Sequence, residues 1–102
     1  LNRTEYLLVC LSEECAEIQQ AVNKALRFGL DVGFPGSRTT NAEDIAREWV
    51  DAIGVMEMLE DDKIIKNIAT QKAINKKKIK VGHYMDHSRK LGTLIDFYTT
   101  VK

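Results

Sequence analysis

One proline and six glycines in 102 residues leave few breakpoints, which disfavours a turn-rich β fold and favours long helices. No apolar run approaches the roughly 20 residues that a membrane-crossing helix needs, and no signal-peptide pattern is present. Cysteine is equally scarce, with Cys10 and Cys15 the two in the chain. Five residues apart on a helix, they point about 140° from each other and cannot bridge. Both read as small buried residues. Without a disulfide framework, a reducing cytoplasm is the expected setting. No internal repeat recurs at a solenoid period, and the one low-complexity stretch is Lys76–Lys78.

What the chain does have is enough apolar material, 44% of its residues, for one core and not for two. A single domain over residues 1–102 is therefore expected. Net charge is zero, yet the charges are segregated. Residues 1–62 carry five Lys/Arg against thirteen Asp/Glu, and residues 63–102 carry ten against two, so the parts sum to −8 and +8. Acids on one stretch and bases on another suit a metal site beside an anion site, and they suit a salt-bridged bundle nearly as well.

Periodicity predicts a first helix from about Thr4 to Phe28, with Leu8, Leu11, Cys15, Ile18, Val22 and Ala25 as its core stripe. Gly29 fits its C-terminal cap. Residues 29–40 hold three glycines and the proline and read as a loop. Asn41 looks like an N-cap, with Asp44 in a variant capping box. A second helix then runs from Ala42 to about Leu59, its stripe being Ile45, Trp49, Ala52, Ile53, Met56 and Leu59. Glu60, Asp61 and Asp62 read as a turn opening a third, basic helix over about 62–81 that carries Ile64, Ile65, Ile68 and Ala69. Gly82 is expected to interrupt it. His83–Lys90 reads as a short fourth helix, and the stretch from Leu91 to Lys102 fits helix, strand or tail.

The acids on the first two helices are placed unusually. Glu14 and Glu17 are three apart, as are Glu48 and Asp51, so each pair shares one face and can converge on one cation. Glu14 lies roughly 80° and Glu17 roughly 140° from the centre of the first stripe, and Glu48 and Asp51 have about the same offsets from the second. Antiparallel packing could bring the pairs together. The acids also share seams with apolar residues: Leu7, Cys10, Glu14, Glu17 and Ala21 on one helix, Glu48, Asp51, Val55 and Met58 on the other. Carboxylates in such a seam are costly unless something compensates their charge. Magnesium would, because it favours oxygen ligands and keeps several waters. Solvated acidic faces are the plainer explanation of the same spacing.

At these residues the sequence resembles a known family. Glu13-Glu14-Cys15-Ala16-Glu17 matches the EExxE element of MazG-like nucleoside triphosphate pyrophosphohydrolases, and Glu48-Trp49-Val50-Asp51 matches their ExxD element. The connection ALRFGLDVGFPGSRTTN looks like that of small stand-alone or phage-type members, and the likeness covers roughly residues 8–60. The resemblance implies an all-α helical bundle completed by oligomerisation as a homodimer or homotetramer. It implies hydrolysis of a nucleoside triphosphate, often a non-standard or deoxy one, to monophosphate and pyrophosphate with Mg²⁺, for which Mn²⁺ could substitute. Carried over by position, Glu14, Glu17, Glu48 and Asp51 would be metal ligands, and Glu13 a residue that either supports a ligand from behind or orients the water. The basic helix from Asn75 to Tyr84 resembles the family's looser phosphate-binding helix, with Asn75, Lys77, Lys80 and Tyr84 as its candidates. This part departs most from a fixed pattern.

Other readings compete. A di-iron carboxylate bundle requires a Glu-x-x-His element, which the sequence lacks. A non-catalytic module whose basic third helix binds nucleic acid or an acidic partner is the main alternative. The MazG-like reading itself expects neither a nucleic-acid nor a membrane partner. His83 and His87, four apart around Asp86, have zinc-compatible spacing but no evident third ligand. Trp49 reads as packing rather than a stacking platform, and Met56 and Met58 as apolar filler.

Overall fold

The computed structural model describes residues 1–96. It is all-helical, with α1 at Arg3–Phe28, α2 at Asn41–Asp61 and α3 at Gln71–Leu91, and no strand among the described residues. Two compact units result, one of Leu1–Lys66 and one beginning at Asn67. None of the described helices is long and apolar enough to cross a membrane.

The first unit is a hairpin of α1 and α2. Asn2 opens α1 through a capping box with Glu5, which satisfies two backbone donors that the first turn leaves without partners. Gly29 closes the helix, its N–H donating to the carbonyl of Ala25. At the start of α2 the cap differs from expectation. Thr40, not Asn41, is the N-cap, and its box partner is Glu43. Asn41 is instead buried as the first helical residue, and its Nδ2 donates to the Gly29 carbonyl at 2.8 Å. Asp44 accepts from Thr39 Oγ1 at 2.8 Å and from Arg47 at 2.8 Å. The other end of the hairpin is marked by an exposed ion pair, Arg3 with Asp62 at 2.6 Å, a type of contact worth little on its own.

The packed faces overlap the two stripes that periodicity favours only in part: Ala25, Ala52 and Leu59 of those stripes are buried, and Leu11, Ile18, Ile45 and Met56 are half-buried. Leu7, Ala21 and Ala25 are buried on α1, and Ala52 and Leu59 on α2. Leu8, Cys15 and Val22 are exposed on α1, as are Trp49 and Ile53 on α2, Trp49 at 59%. Each helix is thus rolled by about 50° toward its acidic seam. Small side chains at Ala21, Ala25 and Ala52 permit the helices to meet there, and Glu14 and Glu48 are carried half-buried into the contact. Cys10 is half-buried and Cys15 exposed, so only the first approaches its expected burial.

The third helix begins nine residues later than expected. α2 ends in a Schellman turn: Lys63 has a left-handed φ of 59°, Lys63 N–H donates to Glu60 and Ile64 N–H to Leu59. Residues 62–70, including Ile64, Ile65 and Ile68, are not helical. Thr70 then caps α3, accepting from Ala73 N–H at 3.1 Å. The helix runs unbroken through Gly82 and absorbs the fourth helix expected at His83–Lys90. Gly92, with φ 78°, ends it in a second Schellman turn, and Arg89 ties the end down through Asp86 and Asp96. Residues 97–102 of the ambiguous terminal stretch lie outside the described residues.

A methyl group at Gly82 meets nothing within 4 Å. Gly82→Ala is therefore expected to stabilise α3 by about 1 kcal/mol, the usual glycine cost in a helix interior. Circular dichroism melts would show higher helicity and a raised midpoint. A lowered midpoint would mean that the open space around Gly82 is filled in solution.

Candidate functional site

The roll of α1 against α2 creates the site. One carboxylate oxygen from each of Glu14, Glu17 and Glu48 lies within 4.8 Å of the other two. Glu14 and Glu17 occupy successive turns of α1, and Glu48 faces them from α2. Oε2 of Glu14 and Oε2 of Glu48 are buried without a hydrogen-bond donor among the described residues. A carboxylate oxygen without a donor is expensive to bury.

The electrostatics record that cost. Burial pushes the Glu14 carboxyl above its ordinary pKa, and the charges of Asp51, Glu48 and Glu13 push it further in the same direction. Glu48 is also raised, first by a side-chain hydrogen bond shared with Glu17, then by burial and by the charges of Glu17 and Asp51, with Arg47 opposing. Asp51 therefore belongs to the same field as Glu14 and Glu48, although its side chain is exposed. Asp44, one turn before Glu48, is lowered by its bond from Thr39 and by Arg47. Two neighbouring turns of α2 thus hold one carboxylate stabilised by donors and one with an oxygen lacking them.

A set of hard oxygen donors with inward-facing, unsatisfied atoms fits a divalent cation such as magnesium. Among the described residues, these three glutamates are the His/Cys/Asp/Glu group close enough to share one ion. A cleft of about 280 Å³ opens beside them, lined by Glu17, Gln20, Ala21, Lys24, Asp44, Arg47 and Glu48. It joins two acids of the cluster to two cations, Lys24 and Arg47. Neither cation stands out in the sequence. Lys24, two turns beyond Glu17, shares its face and was open to detection by the same helical phase.

The basic helix belongs to the second unit. Lys80 Nζ lies 5.9 Å from the Tyr84 ring centre, and Lys77 shares that face by helical phase. Asn75 lies on the opposite side of α3 by the same phase, where its Oδ1 accepts from Gln71. Lys72, Lys76, Lys80, His83, His87 and Lys90 form an exposed basic stripe within an arc of about 80°. In comparisons with known proteins, no family model, curated protein or solved structure matches this chain.

Proposed function

We propose that the chain is a magnesium-dependent nucleoside triphosphate pyrophosphohydrolase. One observation carries this reading. Glu14 and Glu17 on α1 converge with Glu48 on α2, and Glu14 and Glu48 each bury an oxygen with no donor among the described residues. A fold that served stability alone would place donors there, as it does for Asp44. The proposed substrates are ribo- or deoxynucleoside triphosphates, split to monophosphate and pyrophosphate in clearing the nucleotide pool.

Glu14, Glu17, Glu48 and Asp51 would hold the magnesium, with manganese able to substitute. Bound there, the metal supplies positive charge opposite the polyphosphate and the negative charge that builds on the leaving pyrophosphate. The chemistry asked of the chain is limited. Water attacks the α-phosphorus, the bond from that phosphorus to the bridging oxygen breaks, and pyrophosphate leaves with the electron pair. Glu13, beside Glu14, has the proposed role of orienting the water and taking its proton. Lys24 and Arg47 in the cleft, and Lys77 and Lys80 on α3, have proposed roles as point charges for phosphate oxygens. Tyr84 is placed with them, and Asn75 is the weaker member of that set.

A homodimer or homotetramer belongs to the same proposal. Leu8, Val22 and Leu26 on α1, with Trp49 and Ile53 on α2, are all exposed. In an antiparallel pair, the helical phases put them on one flank of the hairpin and Glu17 and Asp51 on the other. A second copy is the proposed cover for that flank.

The deciding assay is pyrophosphate release from a panel of ribo- and deoxynucleoside triphosphates, with magnesium and then with excess chelator. The expected result is equimolar monophosphate and pyrophosphate, lost on chelation. A folded sample that releases none from any nucleotide, yet binds nucleic acid with strong salt dependence, would overturn the reading. The basic stripe of α3 would then be the functional surface.

A further inference from the structure

Beside the acidic cleft, the α1–α2 loop builds a second concavity of different chemistry. It encloses about 550 Å³ and is walled mainly by Phe28, Val32, Phe34 and Pro35, with Lys24 and Asn41 at its edge and floor. This volume falls within the range of about 300–1,000 Å³ typical of small-molecule sites. The two phenyl rings that line it are left open, Phe28 at 65% and Phe34 at 79% exposure. Arg27 lies 5.0 Å from the Phe28 ring centre, giving that ring a cationic neighbour.

The rings are carried on fixed backbone. Asn41 N–H donates to the Val32 carbonyl at 2.7 Å, Ala42 N–H to Leu30 at 3.0 Å, and Ser37 N–H to Phe34 at 2.8 Å. The buried Asn41 side chain adds its bond to Gly29. Four hydrogen bonds thus hold a loop whose apolar side chains Leu30, Val32 and Phe34 are exposed. Lys24 lines both this pocket and the acidic cleft, so the two concavities meet across one lysine.

We propose that this pocket takes the nucleobase of a nucleoside triphosphate whose phosphates extend past Lys24 toward the acidic cleft. The assignment rests on the pyrophosphohydrolase reading and adds where substrate recognition occurs. A flat aromatic ligand suits a pocket walled by aromatic and apolar side chains. The adjoining lysine and carboxylates suit a polyphosphate with its metal. Because every base has a π-face, stacking alone would accept several bases.

Phe34→Ala tests the pocket, since Phe34 is too exposed for its loss to unfold the hairpin. KM for each nucleotide cleaved is expected to rise roughly tenfold or more, the scale of losing one aromatic stacking partner. kcat should stay within about twofold, the pattern of lost uniform binding. Cleavage of inorganic triphosphate, which has no base, should not change, and Phe34→Trp should restore the nucleotide KM. Unchanged KM in both Phe34→Ala and Phe28→Ala, with wild-type turnover intact, would overturn the pocket and leave the reaction standing. So would a changed sedimentation of Phe34→Ala with unchanged KM, because the rings would then serve a contact between copies. If wild-type protein cleaves nothing, calorimetric titration with nucleoside monophosphates decides. Binding lost in Phe34→Ala would uphold the pocket while the reaction fails, and no binding by wild type would overturn both.

Discussion

Glu14→Ala and Asp51→Ala are each expected to lower magnesium-dependent pyrophosphate release on the order of a thousandfold, with the helical circular dichroism signal unchanged. The size follows from several kcal/mol of charge stabilisation by a catalytic metal, at about 1.4 kcal/mol per factor of ten. The same cluster makes a prediction about stability that needs no substrate. Glu14 and Glu48 have carboxyl pKa values raised by the fold, so the folded state holds its protons to higher pH than the unfolded chain. Between the ordinary glutamate pKa and the raised value, the folded chain binds more protons, and stability falls as pH rises. Above the raised value the penalty is complete. In chelator, Glu14→Gln and Glu48→Gln should therefore melt higher than wild type at pH 7–8, and the gap should close below the ordinary glutamate range. Magnesium should raise the wild-type Tm and do much less for either variant, because a ligand of the folded state stabilises it by mass action. Melts over pH with and without magnesium check this. Variants that turn over normally, or a wild-type Tm indifferent to magnesium, would make the acids scaffold.

How much of this was legible before the structure depends on where each signal resides. The limits of α1 and α2 are written in strong local features: a long periodic run, then glycine, then a loop rich in turn residues. The approach of Glu48 to Glu14 and Glu17 was open to reading too, since matched offsets on consecutive helices allow it once they pack antiparallel, while Asp51 stays exposed outside that group. The roll was not. Two seams compete on each helix, and periodicity favours the more apolar one with Leu8 and Trp49. Packing settled between them, burying Ala25, Ala52 and Leu59 of the favoured stripes together with Leu7 and Ala21 of the acidic seam, a decision about shape that hydropathy does not record.

The start of α3 was hidden for a different reason. A Schellman turn is ordinarily announced by glycine at its left-handed position, as at Gly92. After α2 that position is Lys63, so nothing in the sequence marks a stop, and the acids 60–62 mimic a helix start. Asn41 misled similarly. It is a favoured capping residue, but Thr40 stands directly before it and forms the box with Glu43. That freed Asn41 to be buried as a brace on Gly29.

The other large effect is expected at that brace, from Gly33→Ala. A methyl group there would fall 2.0 Å from the Thr39 carbonyl oxygen and 3.2 Å from its carbon. Both are backbone atoms, and that backbone is held in place. Thr39 is bonded to Ser37 and Asp44, and Val32 next to Gly33 accepts from Asn41 N–H. Relief therefore requires the loop to lift off the start of α2, with the bonds from Asn41 to Val32 and Gly29 stretched or lost. Overpacking of this kind costs about 1–3 kcal/mol, which for a domain near this size lowers Tm by roughly 5–20 °C. The same glycine-to-alanine change is stabilising at Gly82, where the added methyl meets open space. The opposite signs make the pair a test of the loop's backbone rather than of glycine in general. If the loop also shapes the base pocket, Gly33→Ala should raise the nucleotide KM and leave cleavage of inorganic triphosphate intact, as Phe34→Ala does. A variant with wild-type Tm would show that the loop yields without cost, and the fixed backbone on which the pocket depends would be lost as an argument.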